Sequence, residues 1–302
     1  PVLLREAHAA PTISVCTAQD LDNVRNNLSG SYLQTCDIDM SGFVWRTIGA
    51  PRPFTGTFDG NGKRISNLSV TETLDNAALF YTSNGVLKNI TLVNVNINGE
   101  GGVAGLSGSN GVGGIIDNVS VSGTVTYTSP NTLNVPKGGL VGYNAGTITN
   151  SQTHVTVTGN YLVGGLVGQN ANTGIIRNSW SDGTVNGKGF FVGGLVGQNT
   201  GLIENSYSAS PVIAANASAE IGGLVGENAG GAIKNSYATG SVAGGGSYSG
   251  GLVGSLGGGG ISNPGSIDSS YATGNVSQGA FVGGLVGGQT APSTITNSYA
   301  TG

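Results

Sequence analysis

The chain has 302 residues, among them 56 glycines, with 37% apolar and 9% charged residues and a formal charge of −4. That mixture excludes collagen, whose glycines fall at every third position, and disorder, which goes with high charge and few apolar residues. It also excludes a helix-rich fold, because each interior glycine costs a helix about 1 kcal/mol relative to alanine, and the scattered Lys and Arg give nucleic acid no basic stripe.

The opening PVLLREAHAAP, residues 1–11, is read as a tail or the remnant of a leader, its apolar run being too short for a complete one. No stretch approaches about 18 continuous apolar residues, so no membrane insertion is expected. Residues 12–70 form a capping module. Cys16 and Cys36 are its cysteines and the only two in the chain. Their isolation in a sequence of secreted character predicts a disulfide and an oxidising compartment; two separate buried thiols are the alternative. TAQDLDNVRNNLSG, Thr17 to Gly30, opens on a capping box of Thr17 and Asp20 and carries Leu21, Val24 and Leu28 at helical spacing. This predicts a short N-terminal helix over the open end of a solenoid, stopped at Gly30. Asp37, Asp39 and Asp59 are the calcium candidates, against a reading as strand and turn, with DGNG at Asp59 to Gly62 a strong turn signal.

From residue 71 to 302 the sequence repeats. GGLVG recurs around Leu140, Leu166, Leu195, Leu224, Leu252 and Leu285, about 28 residues apart, and alternates with a phrase of the type NSYATG. A unit of this length, with two or three short β-rich runs bounded by Gly or Asn, predicts one coil of an all-β, right-handed parallel β-helix (β-solenoid). Two asparagine columns are expected at its corners, where φ is positive: Asn144, Asn170, Asn199 and Asn228 after GGLVG, and Asn150, Asn178, Asn205, Asn235 and Asn297 in NSY. Stacked coils would let their amides hydrogen-bond along the axis.

Alternation along the NSY strand puts its first and third residues after Asn inward and its second outward. Leu140, Ile148, Ile176, Val196, Ile203, Ile233 and Val253 are expected in the core, whereas Trp180, Tyr207, Tyr237, Tyr271 and Tyr299 form an outer stripe. Such a stripe suits sugar stacking or protein association, unless it only shields the sheet. No catalytic residues stand out. The carboxylates of the regular repeats fall mostly singly in turns, His8 lies in the tail, and His154 reads as an ordinary surface histidine. GGGG at Gly257 to Gly260 lacks the Lys-Ser/Thr of a phosphate cradle and reads as a loop insertion.

GGLVGQNTGLIENSYSAS and GGLVGENAGGAIKNSYATGSV resemble the GLUG repeat, and the preceding LSGSYLQTCDIDMSGFVWRTIG is similar to the module that often opens such arrays. The resemblance implies a bacterial secreted or cell-surface protein, adhesin-like or akin to the non-catalytic regions of immunoglobulin A peptidases, and carries no catalytic residues. The function expected is therefore structural: an adhesin stalk or a self-assembling surface fibre subunit. Its partners would be further copies packed end to end or laterally, or surface glycans and proteins. The alternative is a carbohydrate-binding or carbohydrate-degrading β-helix using the aromatic stripe. The last phrase, TNSYATG, leaves its coil uncapped, so more chain or a stacked subunit is expected there.

Overall fold

The computed structural model describes residues 12–72, 76–129, 134–216, 219–258, 263–289 and 292–302; the tail 1–11, with His8, and the end of the GGGG loop lie outside the described residues. Among these residues the only helical elements are α1 (Ala18–Asp22) and a 3-10 turn (Asn23–Asn26). Everything else that is regular is a short strand. The strands form four sheets, of eleven, seven, eight and fifteen members. All their pairings are parallel, and each strand meets its equivalent one coil away, as in Ile175↔Leu202↔Ala232. The molecule is a parallel β-solenoid of about 9 turns with about 28 residues per coil.

One coil shows how the repeat folds. It runs through Phe191–Gly193, Val196–Asn199, Leu202–Glu204, Tyr207–Ser208 and Val212–Ala214, the last two sharing a sheet. That is more strands than the two or three runs legible in the repeat. The extra ones escape notice because they are two to four residues long and glycine-rich, so they carry little β-propensity. At the bend between the first two strands, a Cβ on Gly193 would lie 1.9 Å from Val196 O, and one on Gly194 would lie 2.1 Å from Gly223 O of the next coil. The double glycine of GGLVG is thus imposed by backbone packed on backbone. Leu195, the residue after it, is fully buried.

The core is built of several stacked columns of apolar side chains, such as Ile148, Ile176, Ile203 and Ile233 on one sheet and Val196, Val225 and Val253 on another. Leu140, Ile148, Ile176, Val196, Ile203, Ile233 and Val253 are all 0% exposed. At the N-terminal end, Thr17 caps α1 through its side chain and Asp20 returns the bond to the cap backbone. The helix is shorter than the Thr17–Gly30 reading. It passes into a 3-10 turn at Asn23, where Asn23, Asn26 and Asn27 are weak helix formers. Leu21 and Val24 are nevertheless buried, and Leu28 packs on the core. The ladder passes residue 70 without a break: Ser31 pairs with Thr57, Thr57 with Val86, and Ser69 with Asn96.

Candidate functional site

Four side-chain columns run along the solenoid, and they are the chemically distinctive feature of its surface and interior. The outermost is aromatic. Gln152, Trp180, Tyr207, Tyr237, Tyr271 and Tyr299 occupy one register position on successive coils. From Trp180 onward the ring centroids are 5.5, 4.8, 4.9 and 5.2 Å apart, with interplanar angles of 6°, 1°, 4° and 7°. These distances follow from the spacing of hydrogen-bonded strands, about 4.8 Å. Each ring therefore turns its faces to its neighbours in the stack, and the side chains are half-buried, apart from the 55% exposed Tyr299. What faces solvent is a row of ring edges and phenol hydroxyls. Burial raises the hydroxyl pKa of Tyr207 and Tyr237, and the adjacent tyrosine adds to it. At the other end of the column His154 stands edge-on to Trp180, with centroids 5.0 Å apart, and its Nδ1 lies 2.6 Å from Asp182 Oδ1.

The two asparagine columns differ, contrary to the expectation that both occupy positive-φ corners. Asn150, Asn178, Asn205, Asn235 and Asn297 do, with φ between 48° and 51°, and Ser269 takes the same conformation in the coil that lacks the asparagine. Their side chains lie at the surface: Asn150 and Asn297 donate to Asp117 and Asp268, and Asn178 reaches Asn150 at 3.4 Å. Asn144, Asn170, Asn199 and Asn228 are instead fully buried and lie outside the left-handed region. Asn110 joins them at the N-terminal end. Each Nδ2 in turn donates to the next Oδ1 at 2.8 Å, from Asn110 through to Asn228. The column stops where Leu256 takes the next register position.

The fourth column is of buried serines, which the sequence reading places inward without assigning them a task. Ser151, Ser179, Ser206, Ser236 and Ser270 each donate their hydroxyl to the carbonyl two residues back, at 2.7 to 2.9 Å. The same oxygen accepts the backbone N–H of the equivalent residue one coil earlier, at 3.1 to 3.2 Å. Where the left-handed asparagine breaks the backbone ladder, the serine hydroxyl restores it. The signal was present in the sequence as the invariable Ser of the NS pair, but only the coil stacking gives that hydroxyl its partner.

The remaining candidates divide. Cys16 and Cys36 form the disulfide. Asp37, Asp39 and Asp59 do not converge: Asp37 accepts from Arg64 N, Asp39 from Ser41 and Asn67, and Asp59 from Asn61 N and Asn89. These are the turn and inter-coil contacts of the strand-and-turn reading; among the described residues no three His, Cys, Asp or Glu are grouped to hold a metal ion. Buried Glu227 and half-buried Glu220 form a carboxyl pair that the repeat pattern does not single out. Burial and then the neighbouring Glu227 push Glu220 up to about 7, and burial also raises Glu227, which Gln198 partly offsets by donating a hydrogen bond. Among the described residues no helix is long and apolar enough to cross a membrane.

Parts of the chain are similar to known proteins. Residues 159–186, 217–243 and 282–302 match the family described as the GLUG motif, so the chain carries GLUG motifs. Halomucin of Haloquadratum walsbyi is 34% identical over 145 residues, which cover 43% of this chain and 2% of Halomucin. A protein of Evansella cellulosilytica named as a Gly-rich membrane protein is 40% identical over 176 residues, covering 53% of this chain and 20% of that protein. The chain thus spans a small part of the length of either relative. A crystal structure from Bacteroides ovatus, described as an immunoglobulin A1 protease, superposes with a TM-score of 0.68 over 79% of this chain and 78% of that one, at 24% identity. A structure named IgA1 Protease gives 0.56 over 94% of this chain and 21% of that one, at 16% identity. At such identities the likeness establishes the solenoid fold and not an activity.

Proposed function

We propose that this chain is a rigid structural segment of an extracellular or cell-surface protein, a stalk that holds other parts of a longer polypeptide at a distance. The observation that carries this reading is the set of side-chain columns that run across successive coils. Asparagine, serine and aromatic residues each bond to their equivalents one coil away, so the sequence invests its special residues in axial continuity and not in a cleft. GLUG motifs in a chain that covers 2% and 20% of its two relatives fit a segment repeated within large surface proteins. The names of those relatives, Halomucin and a Gly-rich membrane protein, support placement at the cell surface.

The competing sugar-binding reading needs open aromatic faces on which a pyranose ring can lie. Here those faces are occupied by neighbouring rings, which favours the structural role. The test pairs shape with binding. Small-angle scattering of the purified chain is expected to show a stiff, monodisperse rod, about 9 coils at roughly 4.8 Å each, near 45 Å long. A glycan array is expected to show no retention. Retention of any glycan that Tyr237→Ala and Tyr271→Ala abolish would replace the stalk reading with the carbohydrate-binding one.

A further inference from the structure

The seven-stranded sheet has one register position that runs Val103, Lys137, Val163, Val192, Ile221, Ser249, Val282. Lysine is alone in this row of small and apolar side chains. It is also 0% exposed and ranks among the largest fully buried side chains of the molecule. Its stem lies against Gly159, where an added Cβ would come within 3.2 Å of Lys137 Cγ and Cδ, so the glycine makes room for the lysine. Nζ lies 4.0 Å from the centroid of the Tyr127 ring and 2.7 Å from Oδ1 of Asn160. Asn160 sits at the corner one coil further on, 23 residues along the chain.

An amine in this position is well placed for chemistry. A buried lysine is expensive to keep charged, and here burial brings its pKa down from 10.5 to about 7, so the nucleophilic free amine is accessible near neutrality. It donates to a carboxamide whose carbon lies one C=O bond, about 1.2 Å, beyond the oxygen that Nζ already touches. The surrounding coil stack holds the two groups together, which is the situation in which an intramolecular reaction gains most.

We propose that Lys137 and Asn160 form an intramolecular isopeptide bond. The Lys137 Nζ lone pair adds to Asn160 Cγ, and the Cγ–Nδ2 bond then breaks. The proton lost by the amine leaves with Nδ2, so that ammonia departs and no oxidant, reductant or other reactant is consumed. The product is a neutral secondary amide between adjacent coils. It removes the buried charge and ties the corner at Asn160 to the strand at Lys137, near the middle of the solenoid.

Mass spectrometry of the intact, reduced chain tests this directly. The expected result is a mass about 17 Da below that of the sequence, one ammonia, with digestion giving a branched peptide that joins the Lys137 and Asn160 segments and no tryptic cleavage after Lys137. Asn160→Ala, which leaves the lysine in place, and Lys137→Met, which suits the apolar row, are each expected to restore the full sequence mass. A wild-type chain of full mass with Lys137 cleaved by trypsin would overturn the proposal. So would loss of ammonia without the branched peptide, because cyclisation of an asparagine elsewhere gives the same mass change.

Discussion

The buried asparagine column makes a quantitative demand that separates it from its surface counterpart. Asn170 Nδ2 donates to Asn199 Oδ1 at 2.8 Å, and its Oδ1 accepts from Asn144 Nδ2 at 2.8 Å. Asn170→Ala removes both bonds, together with the longer contacts of the same Nδ2 to Gly174 O at 3.3 Å and Leu202 O at 3.4 Å, in a site that is 0% exposed. Each such bond contributes about 1 kcal/mol net, and a buried group left without a partner costs about 1–3 kcal/mol. The neighbours retain other contacts, Asn144 with Gly146 O at 3.2 Å and Asn199 with Gly201 N at 3.3 Å, so the penalty belongs at the lower end. The expected loss is about 3 kcal/mol. Asn178→Ala should behave differently. Its side chain makes one long contact, 3.4 Å to Asn150, but its φ of 49° costs an alanine about 1 kcal/mol. Glycine then discriminates the two columns, because it is at ease at positive φ and supplies no amide. Asn178→Gly should be within a few tenths of a kcal/mol of wild type, whereas Asn170→Gly should lose at least as much as the alanine variant. Urea unfolding followed by tryptophan fluorescence measures the sizes. Hydrogen exchange locates them, since a solenoid opens by neighbouring coils and not always as one unit. The reasoning fails if Asn170→Ala falls within about 0.5 kcal/mol of wild type, or if glycine is tolerated at 170 and not at 178.

Further outcomes follow from the same columns. Tyr237→Ala interrupts two ring stacks and should cost about 1–3 kcal/mol, with a loss of near-ultraviolet circular dichroism larger than that of Tyr299→Ala at the exposed end. Ser269→Gly, at a φ of 50°, should stabilise the chain by roughly 1 kcal/mol in urea titrations, and a loss would mean that the serine hydroxyl matters more than the backbone. Reducing Cys16–Cys36, which closes a separation of 20 residues, should remove about 3 kcal/mol. That loss should appear as faster hydrogen exchange in Thr12–Gln34 and leave the repeats protected. Glu220, raised to about 7, holds a proton in the folded chain that the unfolded chain releases near 4.5. Stability present below about pH 4.5 is therefore lost as the pH rises to about 7, and Glu220→Gln should flatten the melting temperature across that window.

The periodic part of the architecture was legible in the sequence because a solenoid repeats its environment. Each coil presents the same strand, bend and core position to the next, so Leu195 and Ile203 recur with their neighbours' spacing and declare an inward column. The alternation around Asn in NSY likewise separated buried Ser236 and Ala238 from the outer Tyr237. The local capping box of Thr17 and Asp20 could be read because both partners lie within one turn of chain.

What depends on contacts between coils could not be read in this way. Asn144 and Asn150 are the same residue type six positions apart, yet one lies in the interior with its amide in an axial ladder and the other holds a left-handed corner at the surface. Only stacking at the strand spacing decides which amide finds a partner. The aromatic row shows the same limit: alternation placed Tyr237 outside, but whether its ring face was open to a ligand or closed by Tyr207 and Tyr271 was set by the distance between coils. Lys137 is the sharpest case. As one lysine in a strand it carries no signal, and it becomes notable only when the fold lines it up with Val103 and Val163 and brings Asn160 to its amine, because burial and approach are properties of the stacked chain and not of its local sequence.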